Sequence, residues 1–525
     1  MLVFFARFWR FLPLLGMLLL VGSCLENKKT EKPNVIIIYT DDQRAETLSS
    51  YNPEGPIQTP HIDRLAENGI RFTNGFVPSP ICGVSRACLI SGQYMSNHEV
   101  KRFQKALPEQ SFQQSYPVQL KQAGYYLGLF GKHGFGITQN QKAVFDQYDA
   151  TTGQGPAFQN YKGKRMHDAE WLTLKTKEFL DSIPQGQPFC LQLNYKEPHP
   201  TAVPAPEDEG KLASYPFERQ KTDNEEEHAK LPPFVQTGYG SKSYNTMFGT
   251  DERLQIYLSH YFEKVMSVDR SIGEITKMLE EKGLDQNTVV VFLSDHGTHF
   301  GEKQLGGKWS PYEQSLKIPF IIYDPRSSSR GMVSDQMVLN IDVAPTLLEM
   351  AGMSVPETMD GKSLIPLIQG DDVVDFRNHF FFEHFVSPTS PIYIPRHDGV
   401  RTKTGKYVRW IDLDPVEEEF YDLVNDQTES NNLIDDPQYQ SVVAGVRDLH
   451  ASFREKYPQD VDYRSYQKYG QSGAKTIDWE KFKEFRPEKY ELIAAQVDSL
   501  SVSWEAAVSD WSVRYEICKN VGYWY

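Results

Sequence analysis

The sequence predicts an α/β protein: a mainly parallel sheet sandwiched by helices, followed by a smaller C-terminal α+β subdomain bearing an antiparallel sheet. Two observations predict it. From Asn34 onward, short continuous runs of β-branched and aromatic residues alternate with amphipathic stretches, the rhythm of strands buried on both faces by crossover helices. From about Asn378 that rhythm gives way to period-two alternation around Lys403-Thr404-Gly405-Lys406, a hairpin signal.

Val35-Ile36-Ile37-Ile38-Tyr39 is apolar throughout, as a central strand requires. Further strands are predicted at 126–130, 189–195, 289–293 and 320–323, and helices at 62–68, 117–123, 169–182, 254–282 and 344–352. Asp269, Ile272, Ile275, Met278 and Leu279 keep helical spacing inside the longest of these. Residues 201–249 are rich in Pro, Gly, Tyr and charge and read as a long surface insertion, a kind of segment that often shapes a cleft. The C-terminal part should pair strands over 399–411, continue through Tyr421-Asp422-Leu423 and carry a helix near 439–457. Residues 458–525 show no clear period.

The 525 residues include 55 Lys+Arg against 70 Asp+Glu, too acidic a balance to track a nucleic-acid backbone. With 39% hydrophobic residues, 28 Tyr, 30 Phe and 8 Trp there is material for a large core, which excludes wholesale disorder. Cys24, Cys82, Cys88, Cys190 and Cys518 are too few for a disulfide scaffold, and their odd number suggests separate tasks. Arg7 and Arg10, an apolar run from Phe11 to Val21 and small residues before Cys24 have the layout of a secretory signal. Leu20-Val21-Gly22-Ser23-Cys24 also resembles a bacterial lipobox. This implies an exported protein, in the periplasm or at the cell surface, anchored to a membrane through lipidated Cys24. The expected domains are a signal at 1–23, a tether at 24–33, a catalytic domain at 34–377 and a C-terminal subdomain at 378–525.

Two predicted strands end alike, one in Asp41-Asp42 and the other in Asp295-His296-Gly297. Ligands of open parallel sheets collect beyond the carboxyl ends of the strands, so two such endings can converge on one site. Three carboxylates offer hard oxygen donors suited to Ca²⁺ or Mg²⁺, and His296 can ligate or approach a bound anion.

The stretch Cys82-Gly83-Val84-Ser85-Arg86 closing on Ser91-Gly92 resembles the signature of formylglycine-dependent sulfatases, type I members of the alkaline phosphatase superfamily. There the cysteine is oxidised to Cα-formylglycine; Val84 stands where proline is usual. Further segments resemble the family in order: Asn34 to Asp42, Thr59-Pro60-His61-Ile62-Asp63, Gly131-Lys132, Pro198-His199-Pro200, Ser294 to Gly297, Lys308-Trp309, and Glu419 to Leu423 with Asn432-Leu433. The resemblance implies an alkaline-phosphatase-like fold and hydrolysis of sulfate monoesters. A hydrated aldehyde offers two hydroxyls on one carbon, one to attack sulfur and one whose deprotonation expels sulfate. It further implies one Ca²⁺ bound by Asp41, Asp42, Asp295, His296 and the oxidised Cys82, with Arg86 holding the formylglycine oxygens. Lys132 and Lys308 would neutralise the sulfate, and His199, or else Lys308, would protonate the leaving oxygen. The family's histidine two residues after the first lysine is Gly134 here, with His133 adjacent.

Export, anchoring and the aromatic insertion point to sulfated carbohydrate as substrate, an algal glycan or glycosaminoglycan fragment, and conversion of Cys82 requires a formylglycine-generating maturation enzyme. Lys101, Arg102, Lys105, Arg396, His397 and Arg401 are candidates for a basic lining. Two alternatives stand beside this reading: a phosphoester or phosphonate hydrolase of the same superfamily, and an unconverted lipoprotein that binds sulfated glycan without cleaving it.

Overall fold

A computed structural model describes residues 32–101, 105–371, 373–385, 394–459, 483, 487–504, 513 and 517. The signal, Cys24, most of the tether, Arg102, Cys518 and most of 458–525 lie outside the described residues. Strand β1 (Asn34–Thr40) is followed by helix α1 (Pro60–Glu67), β2 (Ile70–Phe76), α2 (Cys82–Ser91), α3 (Tyr116–Gln122), β3 (Tyr126–Lys132) and β4 (Gln147–Thr151). Helix α4 (Asp168–Ser182) leads to β5 (Phe189–Asn194). After the insertion and its helix α5 (Tyr239–Met247) comes the 31-residue α6 (Asp251–Glu281), then β6 (Thr288–Ser294), β7 (Lys317–Tyr323), β8 (Met332–Leu339) and α7 (Val343–Met350).

These strands form one eight-stranded sheet in the order β8-β2-β7-β6-β1-β5-β3-β4. All of its pairings are parallel except those of β7, which runs antiparallel to both β2 and β6. Strand β1 alternates between two cores. Val35, Ile37 and Tyr39 pack with Ile90, Leu120 and Leu347 on one face, and Ile36 and Ile38 with Leu172, Val265 and Ile272 on the other. This is why its sequence shows no polar alternation. Thr250 caps α6 by accepting a hydrogen bond from the Arg253 amide.

A second sheet is antiparallel, with strands β9 (His379–His384), β10 (His397–Thr402), β11 (Gly405–Trp410) and β12 (Glu417–Asp422) in sequential order, and helix α8 (Gln440–Lys456) lies against it. The two sheets are joined by buried charge. Lys406, fully buried, lies 2.7 Å from Glu313 and 2.6 Å from Glu429.

The structure extends the sequence expectation in three places. β2, β4 and β8 were not anticipated. In β8 a bulge between Ser334 and Met337 breaks the alternation that would have marked it. β7 contains Pro319, which has no N–H to donate and sits at a bulge between Ile318 and Phe320, where the Tyr51 hydroxyl accepts from the Phe320 amide. The insertion at 201–249 is only in part a surface feature. Ala202, Val203, Ala205, Leu231, Tyr244, Met247 and Phe248 are buried, and Arg219 braces the insertion from within through Asp223 and Tyr244.

Candidate functional site

In-register parallel pairing of β1 with β6 sets Thr40 beside Ser294, so the chain delivers Asp41-Asp42 and Asp295-His296 side by side beyond the sheet's carboxyl edge. Asp42 adopts a left-handed backbone (φ 65°), and its amide donates to Asp295 Oδ1 at 3.1 Å. The Tyr261 hydroxyl on α6 holds the Asp42 carbonyl at 2.5 Å. Cys82 is the first residue of α2, where the unpaired amides of the opening turn give the helix its positive end. Its thiol stands in for the oxygens that an oxidised side chain would carry. Sγ lies 3.2 Å from His296 Nε2 and 3.3 Å from Lys308 Nζ.

Arg86, one helical turn on, is 1% exposed and spans the site. Nε reaches Asp295 Oδ2 at 3.0 Å, NH2 lies 3.5 Å from Asp41 Oδ2, and NH1 donates to the Lys132 carbonyl at 2.8 Å and to Asn194 Oδ1 at 3.1 Å. Its guanidinium sits 4.9 Å above the Tyr39 ring. Lys132 ends β3 and pairs with Asp41; Lys308 pairs with Asp42. His199 Nε2 lies 3.9 Å from Asp42 Oδ2, and its Nδ1 accepts from the Thr201 amide at 3.2 Å, so the neutral ring carries its proton on Nε2. All nine residues singled out in the sequence thus converge on one buried cluster.

The donor set fits a hard divalent cation. Asp41, Cys82, Asp295 and His296 each bring a ligand atom to within 4.8 Å of the others, and Asp41, Asp42 and His199 do the same. Asp41 Oδ1 is buried without a hydrogen-bond partner. His296 Nδ1–H donates to the Gly297 carbonyl at 2.9 Å, which leaves the Nε2 lone pair facing the carboxylates. Charge is divided unevenly among the groups. Burial pushes the Asp41 carboxyl up, but Lys132 and the other neighbouring cations pull it well below the usual carboxylate range. Burial raises Asp42 to about 8 despite Lys308, and raises the Cys82 thiol despite Lys132 and Lys308. Burial and then Lys308 hold His199 well below the ordinary histidine value, and so neutral.

Several residues that complete the site had no motif to announce them. Asn194, at the end of β5, receives hydrogen bonds from Arg86 and from Gln192 (2.8 Å), whose own Oε1 is held by Tyr116. Two polar residues in the apolar run Phe189–Asn194 were the available signal. Asn340 Nδ2 holds Ser85 Oγ at 2.9 Å and the Tyr39 hydroxyl at 3.1 Å, fixing α2 from behind. Gly134 has φ 87°, and a Cβ there would come within 3.0 Å of Gly83 Cα and 3.1 Å of Arg86 Cδ, so a larger residue would be strained in that position. His133 turns aside, its ring tilted against Phe135 at 3.9 Å between centroids, with Nδ1 on the Phe135 carbonyl at 2.8 Å. Val84 lies in the first turn of α2, a place that does not itself forbid proline, and packs among Phe76, Ile81 and Cys88. Cys88 is buried against His98 Nε2 at 3.2 Å.

Both outlying segments reach the neighbourhood of Lys308. Tyr239 of the insertion stacks on Trp309 at 6.0 Å, and Trp309 in turn faces His384 of β9 at 6.4 Å, which stacks on His397 at 4.9 Å. The basic lining expected from sequence is mostly committed elsewhere. Arg396 pairs with Asp412, Arg401 with Glu313, Lys101 bonds Gln459, Lys105 bonds the Glu99 carbonyl, and His397 is fully buried.

Comparison with known proteins finds sulfatases and, among the solved structures that share the fold, phosphonate monoester hydrolases as well. The family model described as "Sulfatase" matches residues 33–353, and that for the C-terminal part of N-sulphoglucosamine sulphohydrolase matches 301–456. An N-acetylglucosamine-6-O-sulfatase of Bacteroides thetaiotaomicron is 29% identical, covering 82% of this chain and 87% of its own. An ulvan-active sulfatase of Formosa agariphila is 27% identical, covering 79% and 78%. A solved structure of a protein with its substrate D-glucosamine-2-N,6-O-disulfate superposes with a TM-score of 0.70 and 25% identity, covering 85% of this chain and 100% of its own.

Proposed function

From the premise that this chain belongs to the sulfatase family and is a sulfuric ester hydrolase, we propose that it hydrolyses sulfate monoesters on carbohydrate through a Cα-formylglycine formed from Cys82 and a bound Ca²⁺. The observation that supports this most is the placing of Cys82 Sγ within 3.3 Å of both Lys308 Nζ and His296 Nε2, inside a cluster of three carboxylates. The relatives that act on sulfated sugars support the substrate class.

The roles follow from position. Asp41, Asp42, Asp295 and His296 would hold the cation together with the oxygen at position 82; the ion supplies polarisation of the sulfate and favours a deprotonated nucleophile. A hydrated aldehyde supplies an attacking hydroxyl and a second whose proton loss releases sulfate. Arg86 orients Asp295, Asp41 and the Lys132 backbone through its fixed donor fork. Lys132 and Lys308 balance the carboxylates, and Lys308, beside the reacting atom, neutralises sulfate oxygens as charge develops. His199 directs Nε2 toward the site and would be the donor to the leaving sugar oxygen as the imidazolium, taking a second proton from solvent as the negative charge of the arriving sulfate offsets the burial that keeps its ring neutral.

We also propose export with anchoring at lipidated Cys24, a catalytic unit spanning 34–377 with a subdomain at 378–525, and a formylglycine-generating enzyme as maturation partner. Peptide mass spectrometry at Cys82, on protein co-expressed with such an enzyme, and sulfate release from a panel of position-defined sulfated sugars test the proposal. Conversion together with release is expected. A converted Cys82 with no release from any sugar rejects the substrate class, and release from unconverted thiol rejects the nucleophile.

A further inference from the structure

A cleft of about 710 Å³ opens where the large sheet meets the second sheet, with Arg71 and Thr73 of β2, Lys317 of β7 and Arg401 of β10 in its walls. It adjoins the site without belonging to it. A Cβ on Gly297, the residue after His296, would meet the Lys317 carbonyl at 2.9 Å.

Most cations of this cleft are matched by carboxylates. Arg401 lies 3.2 Å from Glu313, Lys403 lies 2.5 Å from Asp375, and Arg44 is paired with Glu302 and Glu46. Arg71 and Lys317 differ. Both are half-buried, yet among the described residues neither side chain has a carboxylate within 4.0 Å or a hydrogen-bond partner. Asp335 stands in the lining at an exposed position, outside that reach. The Arg71 guanidinium is held in place by the Tyr51 ring, 4.7 Å away, and Tyr51 is itself pinned by its hydroxyl to the Phe72 and Phe320 carbonyls at 3.0 Å. Apart from the Tyr51 ring under Arg71, no group among the described residues balances these two half-buried cations, although the chain carries 15 more acids than bases from which a partner could have been drawn, so both are available to an anion from outside.

Spacing indicates its size. Arg71 lies opposite Ile321 and Phe76 opposite Lys317, so the backbone positions that carry the two cations are four residues apart along β7, roughly 13 Å at strand rise. Bases on strand positions that far apart suit sulfates carried on separate units of one oligosaccharide, one to each cation. We propose that this cleft is a second, non-catalytic binding site for sulfated oligosaccharide, holding units away from the one being hydrolysed, with Arg71 and Lys317 each receiving a sulfate. The proposal rests on the substrate class given under Proposed function.

The test separates binding from turnover. In full-length Cys82→Ala protein, calorimetry with a heparin-derived and a carrageenan-derived tetrasaccharide should show binding by at least one of them, with unsulfated chitotetraose as control. Adding Arg71→Ser and Lys317→Ser should weaken that binding five-fold or more and flatten its salt dependence, while Arg71→Lys with Lys317→Arg retains most of it. In the active enzyme the double Ser variant should raise KM for a cleaved sulfated oligosaccharide and leave kcat, and kcat/KM on a sulfated monosaccharide, unchanged. A melting temperature within a few degrees of the parent certifies the fold, and the Lys/Arg exchange serves if the Ser variant does not fold. Tetrasaccharide binding that ignores both substitutions, or no binding at all, overturns the cleft assignment. A chain that binds tetrasaccharide through Arg71 and Lys317 but releases sulfate from no sugar overturns the hydrolytic reading and leaves the cleft standing.

Discussion

At the scale of single residues, the site is a balance of buried charge in which each removal has a distinct signature. Cys82→Ala should abolish turnover while leaving the melting temperature nearly unchanged, because the thiol contributes little packing at the start of α2; activity assay and thermal melt check both. Lys308→Ala removes the cation beside the reacting atom, and kcat should fall about 10²–10³-fold, as for loss of one positioned electrostatic donor. His199→Ala should slow alkyl and sugar sulfates far more than 4-nitrophenyl sulfate, whose leaving group needs no proton; equal slowing of both would assign His199 to positioning. Treatment with EGTA should lower both activity and melting temperature, with Ca²⁺ restoring them better than Mg²⁺, since a ligand bound only by the native state stabilises it. The two acidic pairs were legible in the sequence because each follows an uninterrupted apolar strand. The roles of Asn194, Gln192 and Asn340 were not, because a buried polar residue carries no local mark of the distant partner it will touch, such as Arg86 for Asn194, Tyr116 for Gln192 and Tyr39 for Asn340.

At the scale of elements, strand ends set the precision of the site. Gly131, just before Lys132, has φ 90°, and a Cβ there would lie 2.1 Å from the Asn194 carbonyl. Gly131→Ala should therefore separate β3 from β5 locally, costing on the order of 1–3 kcal/mol and most of the activity, as melts and kinetics would show. The second sheet carries a pH signature through His397. Burial lowers its pKa to about 4, against an ordinary value near 6.5 once unfolded. The unfolded chain thus takes up a proton that the folded one refuses, so this stabilisation is whole above pH 6.5 and drains away as pH falls toward 4. His397→Gln should flatten the dependence of melting temperature on pH across that window. Continuous strands such as β1 and β6 could be read from composition alone. β8 could not, since its bulge shifts Asp335 and Gln336 out of phase; the strand β7 was legible over 320–323, but not its antiparallel direction, which is decided by its neighbours.

At the scale of the whole molecule, the two sheets are held in one unit by ions as well as by apolar contact. Lys406→Met would leave Glu313 and Glu429 without their buried partner, Arg401 alone remaining on Glu313, and should cost about 3–5 kcal/mol, read as a single lowered transition in a thermal melt. The C-terminal hairpin and helix were visible in the sequence, but this buried join was not, because its members are scattered from 313 to 429. The burial of Cys82 bears finally on the order of events in the cell. The residue is 5% exposed, its backbone is already wound into the first turn of a helix, and that helix is wedged between the sheet and Asn340. On the reading proposed above, an enzyme that must grip the chain around Cys82 can do so only while this segment is still extended. Maturation then belongs to the interval between synthesis and folding, and a copy that folds first is locked out of activity for the rest of its life.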